Sequence, residues 1–452
     1  MPYVPHTDAD VTEMLATIGA ASIDELFDEI PAHLANGSLD QVPQGMSEMD
    51  MLQHMQQRAA QDDGYVCFLG AGSYDHHIPS AVWDLTSRGE FMTAYTPYQA
   101  EASQGTLQLI YEYQSMMSAL TGMDVSNASV YDGGSGLAEA ILMAVRANKK
   151  NKSGQVAIAA SVHPHYIRAA VNIVRNQNIT TTLLPLAASG GVKMDELDEV
   201  PAAIVIAQPN FFGGLDDVHA LTDWAHAQGS LVIAVVNPMT LAVLEAPGNW
   251  GETGADIVCG DGQPFGVPMA SGGPSFGFVC ARQSLVRQMP GRIIGRTEDL
   301  DGQTGFALTL QAREQHIRRG KATSNICTNQ GLLVTAGTIY LSLMGPQGLR
   351  DVAVKSFENA SQLKQQLCAV PGVEPVFELS CFHEMALRLP VPAARVIEQL
   401  AQKNILAGLD LGDFVPDLIE GADHCLLVAV TEKRTQEQIA AYAAAFAEVV
   451  SA

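Results

Sequence analysis

The chain has 452 residues, 47% of them hydrophobic, so it can bury a sizeable core, and its formal net charge is −24. Such an acidic chain argues against nucleic acid or an anionic membrane as a partner, because both attract basic clusters.

Targeting and redox signals are weak in this sequence. No apolar run reaches the roughly eighteen residues that a membrane span requires. The opening MPYVPHTDAD has neither the basic region nor the apolar core of a secretion signal. The seven cysteines show no CxxC spacing, which suits reduced thiols. We therefore expect a cytoplasmic globular protein.

The first 60 residues are predicted to be helical. Thr7 or Asp8 can cap a first helix, and Ser22 with Glu25 resembles a capping box that starts a second, shorter one. Short helices with an apolar face usually dock on a larger body or on a partner chain. We expect residues 1–60 to form a helical segment outside the main domain.

A short predicted strand, 65–69, leads into the sequence GAGSYDHH. The GAGS stretch lacks the third glycine and the long following helix of a dinucleotide site. His76 and His77 are adjacent, so their side chains diverge and joint metal ligation is not expected. This loop therefore predicts no nucleotide or metal site.

A tyrosine-rich loop, AYTPYQAE, precedes a long predicted helix. Tyr95, Tyr98 and Glu101 make the loop more polar and aromatic than a plain turn needs. Apolar residues at helical spacing between Leu107 and Leu120 then predict a core helix. These residues alone leave open whether the tyrosines cap the core or face a ligand.

A glycine-rich turn, 132–136, opens the next predicted helix. Free N–H groups and the helix dipole make such a turn a binding site for anions such as phosphate. Asp132 and Glu139 would repel a phosphate at this position. We expect the turn to be a scaffold rather than an occupied phosphate site.

After Gly154, apolar strands alternate with amphipathic helices. The strands are predicted at 156–160, 181–186, 203–207, 231–236 and 256–259, a pattern typical of a mainly parallel sheet covered on both faces. Ligands of such sheets gather at the carboxyl ends of the strands. The candidate residues at these ends are His163, His165, Gln208, Asn210, Asn237 and Gln263.

The stretch 256–282 carries a glycine-rich loop between two strands, and no lysine occurs between Met194 and Gly320. Glycines there let the backbone approach a ligand or a neighbouring chain closely. The loop resembles the pyridoxal phosphate (PLP) loop of the glycine decarboxylase family, whose His-Lys-Thr-Phe-like motif carries the Schiff-base lysine. The resemblance places Gln263 at that lysine and Ala234 at the aspartate that meets the pyridine nitrogen. Neither side chain can serve PLP.

The segment REQHIRRGKATSNICTNQ contains the one notable basic patch. By itself it indicates a capped helix start with solvated charge. In the family that the chain resembles, a similar segment approaches the dimer interface and the cofactor phosphate of a neighbouring site. The resemblance therefore implies a role for Arg318, Lys321 and Asn325.

Pro346 and Gly348 mark a predicted domain boundary. Helices beyond it are predicted at 351–367, 393–402 and 435–450, and strands at 373–377, 384–389, 405–410 and 425–430. We predict an α/β fold of the fold-type-I PLP-dependent aminotransferase type. Its large, mainly parallel-sheet domain would span 61–345 and lack the Schiff-base lysine, and a small C-terminal α/β domain would span 346–452.

The resemblance covers essentially the full chain and is to the smaller-subunit type of P-protein of the glycine cleavage system. It implies a heteromeric enzyme in which the partner subunit carries PLP. Glycine loses CO2, and the aminomethyl group passes to the lipoyl arm of H-protein. This chain would bind no cofactor itself and would contribute a wall of the partner's active site, formed by Tyr95, Tyr98, Glu101, Arg318, Lys321 and Asn325.

Two alternatives stay open. The chain could be a non-catalytic regulatory or structural pseudoenzyme, in which case removing the side chains of Tyr95 and Tyr98 leaves turnover of the complex unchanged. It could also be a stand-alone PLP lyase that uses Lys321. In that case Lys321→Ala abolishes cofactor binding by the isolated chain.

Overall fold

The computed structural model describes residues 5–31, 33–34, 39–194 and 199–452. The chain divides into two compact units, Met1–Asp63 and Gly64–Ala452. The first unit contains helices α1 (Asp8–Ile18) and α2 (Glu48–Ala59). Thr7 caps α1 as predicted, since its Oγ1 accepts a hydrogen bond from the Asp10 N–H at 3.3 Å.

The second predicted helix of this unit is only a 3-10 turn, Asp24–Phe27. The Glu25 N–H does reach the Ser22 Oγ, at 3.4 Å, so the capping contact forms. Pro31 disfavours helical backbone just before it, and so short a segment buries no residue that could stabilise an α-helix. The predicted capping contact is therefore confirmed, and the predicted α-helix is wrong.

The second unit, Gly64–Ala452, is an α/β structure. Its strands are β1 (Val66–Cys67), β2 (Val125–Ser126), β3 (Gln155–Ala159), β4 (Thr180–Leu184), β5 (Ala203–Gln208), β6 (Leu231–Val236), β7 (Ile257–Asp261), β8 (Gly277–Ala281), β9 (Ile293–Glu298), β10 (Thr304–Thr309), β11 (Glu374–Pro375), β12 (Glu384–Arg388), β13 (Ile405–Leu406), β14 (Leu409–Asp410) and β15 (Cys425–Ala429). Its helices are α3 (Ser80–Thr86), α4 (Gln104–Thr121), α5 (Gly133–Ala147), α6 (Pro164–Val174), α7 (Val218–Ala227), α8 (Gln315–Arg318), α9 (Gly331–Leu367), α10 (Ala393–Ala401), α11 (Leu411–Phe414) and α12 (Gln436–Ser451).

A seven-stranded sheet organises this unit, in the order β2-β8-β7-β6-β5-β3-β4. The five neighbouring strands β7, β6, β5, β3 and β4 pair in parallel. Strand β8 runs antiparallel to both β7 and β2. β5 is buried along its whole length, as expected for a strand covered on both faces. The predicted mainly parallel sheet is confirmed.

A second, four-stranded antiparallel sheet forms in the order β11-β12-β15-β14. The predicted strand 405–410 splits into β13, which pairs with β1, and β14, which pairs with β15. Gly408 lies between them at a φ of 143°, and a Cβ there would collide with the Leu427 carbonyl. The glycine thus lets the chain pass from one sheet to the other.

Helix α9 continues the predicted helix 351–367 back to Gly331. It bends at Gly345, whose backbone is not helical, and Pro346 follows directly. Among the described residues, α9 is the one helix long and apolar enough to cross a membrane, but half of its apolar window is buried in the protein. The division into domains 61–345 and 346–452 stays a prediction.

Candidate functional site

Two adjoining cavities lie at the carboxyl ends of the parallel strands. One has a volume of about 60 Å³ and the other about 390 Å³, and both are lined by Gly72, His163, Tyr166 and Asp261. This is the edge at which α/β sheets bind ligands. Of the candidates at strand ends, His163, His165, Asn210, Asn237 and Gln263 line one cavity or both, whereas Gln208 does not.

Gln263 is held rigidly by backbone groups. Its Oε1 accepts a hydrogen bond from the Tyr74 N–H at 2.9 Å. Its Nε2 donates to the Tyr74 carbonyl at 2.9 Å and to the Val267 carbonyl at 2.8 Å. Only 4% of the residue is exposed. The amide therefore uses its acceptor and both of its donors to fasten the Tyr74 loop to the loop after β7.

Ala234 lies in the middle of β6, between Ile206 of β5 and Val258 of β7, and is fully buried. The residues of this strand region that line the smaller cavity are Val235, Val236 and Asn237. The Asn237 Oδ1 accepts a hydrogen bond from the Met239 N–H at 3.0 Å and caps the following turn. Among the described residues at the end of β6, none that lines this cavity carries a carboxylate.

The glycine-rich turn at the start of α5 holds carboxylates. The Asp132 Oδ1 accepts a hydrogen bond from the Ser135 N–H at 2.7 Å, and the Asp261 Oδ2 accepts one from the Gly133 N–H at 3.1 Å. These N–H groups are the ones that would bind an external anion. The chain's own acids therefore accept hydrogen bonds from these N–H groups, and whether the turn binds phosphate stays a prediction.

Two buried carboxyl groups have raised pKa values. Burial raises the pKa of Asp261 to about 6. Burial also raises the pKa of Glu384, on β12, to about 7. The Glu384 Oε1 accepts a hydrogen bond from the Ala71 N–H at 2.6 Å, and its Oε2 accepts one from the Tyr74 hydroxyl at 2.9 Å. The site is thus lined by acids that hold protons more tightly than exposed carboxyls do.

His163 is a neutral wall of both cavities. Its Nε2 donates a hydrogen bond to the Ala71 carbonyl at 2.8 Å, and its Nδ1 accepts one from the His165 N–H at 3.1 Å. Its ring stacks on Tyr166 with the centroids 4.9 Å apart. Burial lowers the pKa of His163 to about 4, so it carries no charge at neutral pH.

These residues do not fit PLP. The described residues that line the two cavities include no lysine and no arginine, so neither an amine for the aldehyde nor a cation for the phosphate is present. Asp132, Asp261 and Glu384 would repel the phosphate instead. Metal ligation has no better basis, since no three His, Cys, Asp or Glu side chains of the described chain lie together as ligands.

The tyrosine loop contacts the segment 323–330, whose last residue, Gln330, lines the larger cavity. The Tyr98 hydroxyl donates a hydrogen bond to the Asn329 Oδ1. The Arg292 guanidinium lies over the Tyr98 ring, 4.2 Å from its centroid, and donates from Nη2 to the Cys327 carbonyl at 3.0 Å. Two segments that the resemblance assigned to one wall are therefore in contact.

The other residues expected in that wall are on the surface. Tyr95 is 88% exposed. Glu101, Arg318, Lys321 and Asn325 are exposed too, and none of the residues expected in the wall lines either cavity. Their role toward a partner stays a prediction. Lys321 in particular is not placed to act as an amine inside the cavities.

Several site residues were missed from the sequence. Asp261 closes β7 and could have been found by the same strand-end rule that selected Gln263. Glu384 and Tyr74 are brought together from positions 310 residues apart, and no local pattern signals their contact. Arg292 belongs to no sequence motif. It precedes the hairpin β9–β10, which is not among the predicted elements although Asp301-Gly302 is a hairpin-turn signal.

Comparison with known proteins gives a consistent result. A family model described as "Glycine cleavage system P-protein" matches residues 1–446. A protein of Alcanivorax borkumensis named "Probable glycine dehydrogenase (decarboxylating) subunit 1" is 57% identical over 458 residues, which cover 100% of both chains. A protein of Nitrosomonas europaea with the same name is also 57% identical, with 100% of both chains covered.

Solved structures agree. A crystal structure of glycine decarboxylase (P-protein) of the glycine cleavage system, in inhibitor-bound form, superposes with a TM-score of 0.88 and 41% identity, and the match covers 99% of this chain and 100% of that chain. A sphingosine-1-phosphate lyase of Burkholderia pseudomallei has a TM-score of 0.65 at 16% identity, with 93% and 94% of the two chains covered, and shows the shared fold alone. The predicted fold-type-I class is confirmed.

Proposed function

The chain belongs to the glycine cleavage system P-protein family, and from that premise we propose that it is the subunit of a heteromeric glycine decarboxylase that does not anchor PLP. With a PLP-bearing second subunit it decarboxylates glycine and transfers the aminomethyl group to the lipoyl arm of H-protein. The complex is cytoplasmic and has neither nucleic acid nor a membrane as a partner, in keeping with a net charge of −24.

One observation supports the proposal that the second subunit, and not this chain, anchors PLP. At the position that the family resemblance assigns to the Schiff-base lysine, the Gln263 amide is bonded through its oxygen and its nitrogen to backbone groups and has no free donor. An amide cannot condense with an aldehyde, and this one is not free to move. The group that anchors the cofactor therefore belongs to the second subunit.

This chain's own contribution is the opposite wall of the partner's site. Tyr95, Tyr98, Glu101, Arg318, Lys321 and Asn325 supply aromatic, acidic and basic groups from two loops, and the contact between Tyr98 and Asn329 joins those loops. The cofactor, when bound to the second subunit, serves as the electron sink for loss of CO2. The wall orients glycine and excludes water from the reacting carbon.

The stand-alone lyase has no support, because Lys321 is exposed and lines neither cavity. A purely regulatory role is tested by measuring turnover of the complex after the side chains of Tyr95 and Tyr98 are removed.

The deciding experiment is exchange of the glycine carboxyl group with labelled bicarbonate. It is measured for each chain alone and for both together, with PLP and lipoylated H-protein present. We expect exchange only when both chains are mixed. Exchange by this chain alone contradicts the proposal, and so does undiminished exchange by the second subunit alone.

A further inference from the structure

Arg292 connects two loops that have no sheet or helix to hold them. Residues 92–103 and 322–330 are irregular, with α4 beginning at Gln104 and α9 at Gly331. The Arg292 guanidinium stacks on Tyr98 in the first loop and donates to the Cys327 carbonyl in the second. A planar guanidinium stacks flat on a ring and donates hydrogen bonds from its edge, whereas a lysine ammonium is a compact point charge without a planar face.

The backbone of Arg292 is itself anchored. Its carbonyl accepts a hydrogen bond from the Ala128 N–H at 2.8 Å, beside the edge strand β2, and the next residue starts β9. Gln330, at the end of the second loop, is tied nearby, since its N–H donates to the Ser129 Oγ at 3.2 Å. The arginine thus projects from the sheet framework toward both loops.

The hydrogen bonding around Arg292 is incomplete within the described chain. Its Nε and Nη1 are buried without an acceptor, and the Asn329 Nδ2 is also buried without one. Glu314, which lines the same small cavity as Arg292, has an unpaired buried Oε1. Buried polar groups in native proteins nearly always have partners, and Glu314 offers a carboxylate in the same cavity as the unpaired Arg292 donors.

We propose that Arg292 is a positioning residue that clamps the tyrosine loop to the segment 323–330 before the second subunit docks. This inference rests on the proposed function, in which the two loops form the wall of the partner's site. Clamping before docking matters because loops that are ordered only on binding cost affinity.

The test separates the clamp from the function. Hydrogen–deuterium exchange is measured on the isolated chain for peptides covering 92–103 and 323–330, in wild type and in Arg292→Gln. Arg296→Gln is the matched control, since Arg296 lies on β9 and is exposed. We expect faster exchange in both peptides of Arg292→Gln, incomplete protection in Arg292→Lys, and wild-type exchange in Arg296→Gln.

Affinity for the second subunit is measured on the same variants. We expect Arg292→Gln to weaken association by about tenfold or more and Arg296→Gln to leave it unchanged. Wild-type exchange in either peptide of Arg292→Gln overturns the clamp, as does full protection in Arg292→Lys. Tight association of Arg292→Gln overturns the link between the clamp and docking of the second subunit. If the wild-type chain binds no second subunit, the proposed function fails, while the exchange data still test the clamp.

Discussion

Restoring a lysine at position 263 should damage this chain rather than make it a PLP enzyme. The Gln263→Lys variant loses the acceptor for the Tyr74 N–H, although its ammonium can still donate to the carbonyls of Tyr74 and Val267. The new ammonium would lie where only 4% of the native residue is exposed. The described residues that line the cavities offer no lysine or arginine to bind the phosphate of PLP, and their charged side chains are carboxylates.

The cost can be estimated from the contacts. Each neutral hydrogen bond contributes about 1 kcal/mol net, and a buried N–H left without an acceptor costs about 1–3 kcal/mol. Attraction between the ammonium and Asp261 offsets part of this loss. We therefore expect the free energy of unfolding to fall by about 2–4 kcal/mol.

Urea denaturation of the purified chain measures this change, with Gln402→Lys as the control because Gln402 is exposed at the end of α10. PLP binding is followed in the same samples by visible absorbance and by covalent labelling after borohydride reduction. A Gln263→Lys chain that is as stable as wild type, or that becomes labelled with PLP, would refute the reasoning.

Three further outcomes are expected. Burial raises the pKa of Glu384 from 4.5 to about 7, so the stability it contributes is present below about pH 4.5 and lost as the pH rises through 7. Urea denaturation at pH 5 and pH 8 should show a fall of about 1–3 kcal/mol that shrinks in Glu384→Gln, and an equal fall in both chains would contradict this. Tyr95→Ala, at an exposed side chain, should change stability by less than about 0.5 kcal/mol but lower exchange activity of the complex, and unchanged activity would favour a regulator. Tyr98→Phe removes the bond to Asn329 and should weaken association with the second subunit several-fold, which a binding titration measures.

Much of the fold was predictable because its signals are local. The continuous apolar runs of β5 and β6 indicate strands buried on both faces, and β6 has the predicted bounds. The helix predicted at 435–450 is α12, and Thr435 is its N-cap. Gly408, in contrast, divides one predicted strand between two sheets, a change of partner that alternating hydrophobicity does not show.

The candidate site was only partly predictable for the same reason. Residues that follow parallel strands meet at one edge by topology, so His163, Asn237 and Gln263 could be placed together in advance. Glu384 reaches Tyr74 from the four-stranded sheet, and Arg292 reaches Tyr98 from the start of β9. Such contacts depend on tertiary packing, and no regular spacing of residues in the sequence indicates them.

The most direct test of the central claim is to locate the cofactor. This chain and its second subunit are purified as a complex with PLP and reduced with borohydride, and each polypeptide is analysed by mass spectrometry. The account predicts a pyridoxyl group on a lysine of the second subunit and none on this chain. A pyridoxyl group on any lysine of this chain, Lys321 included, would contradict it.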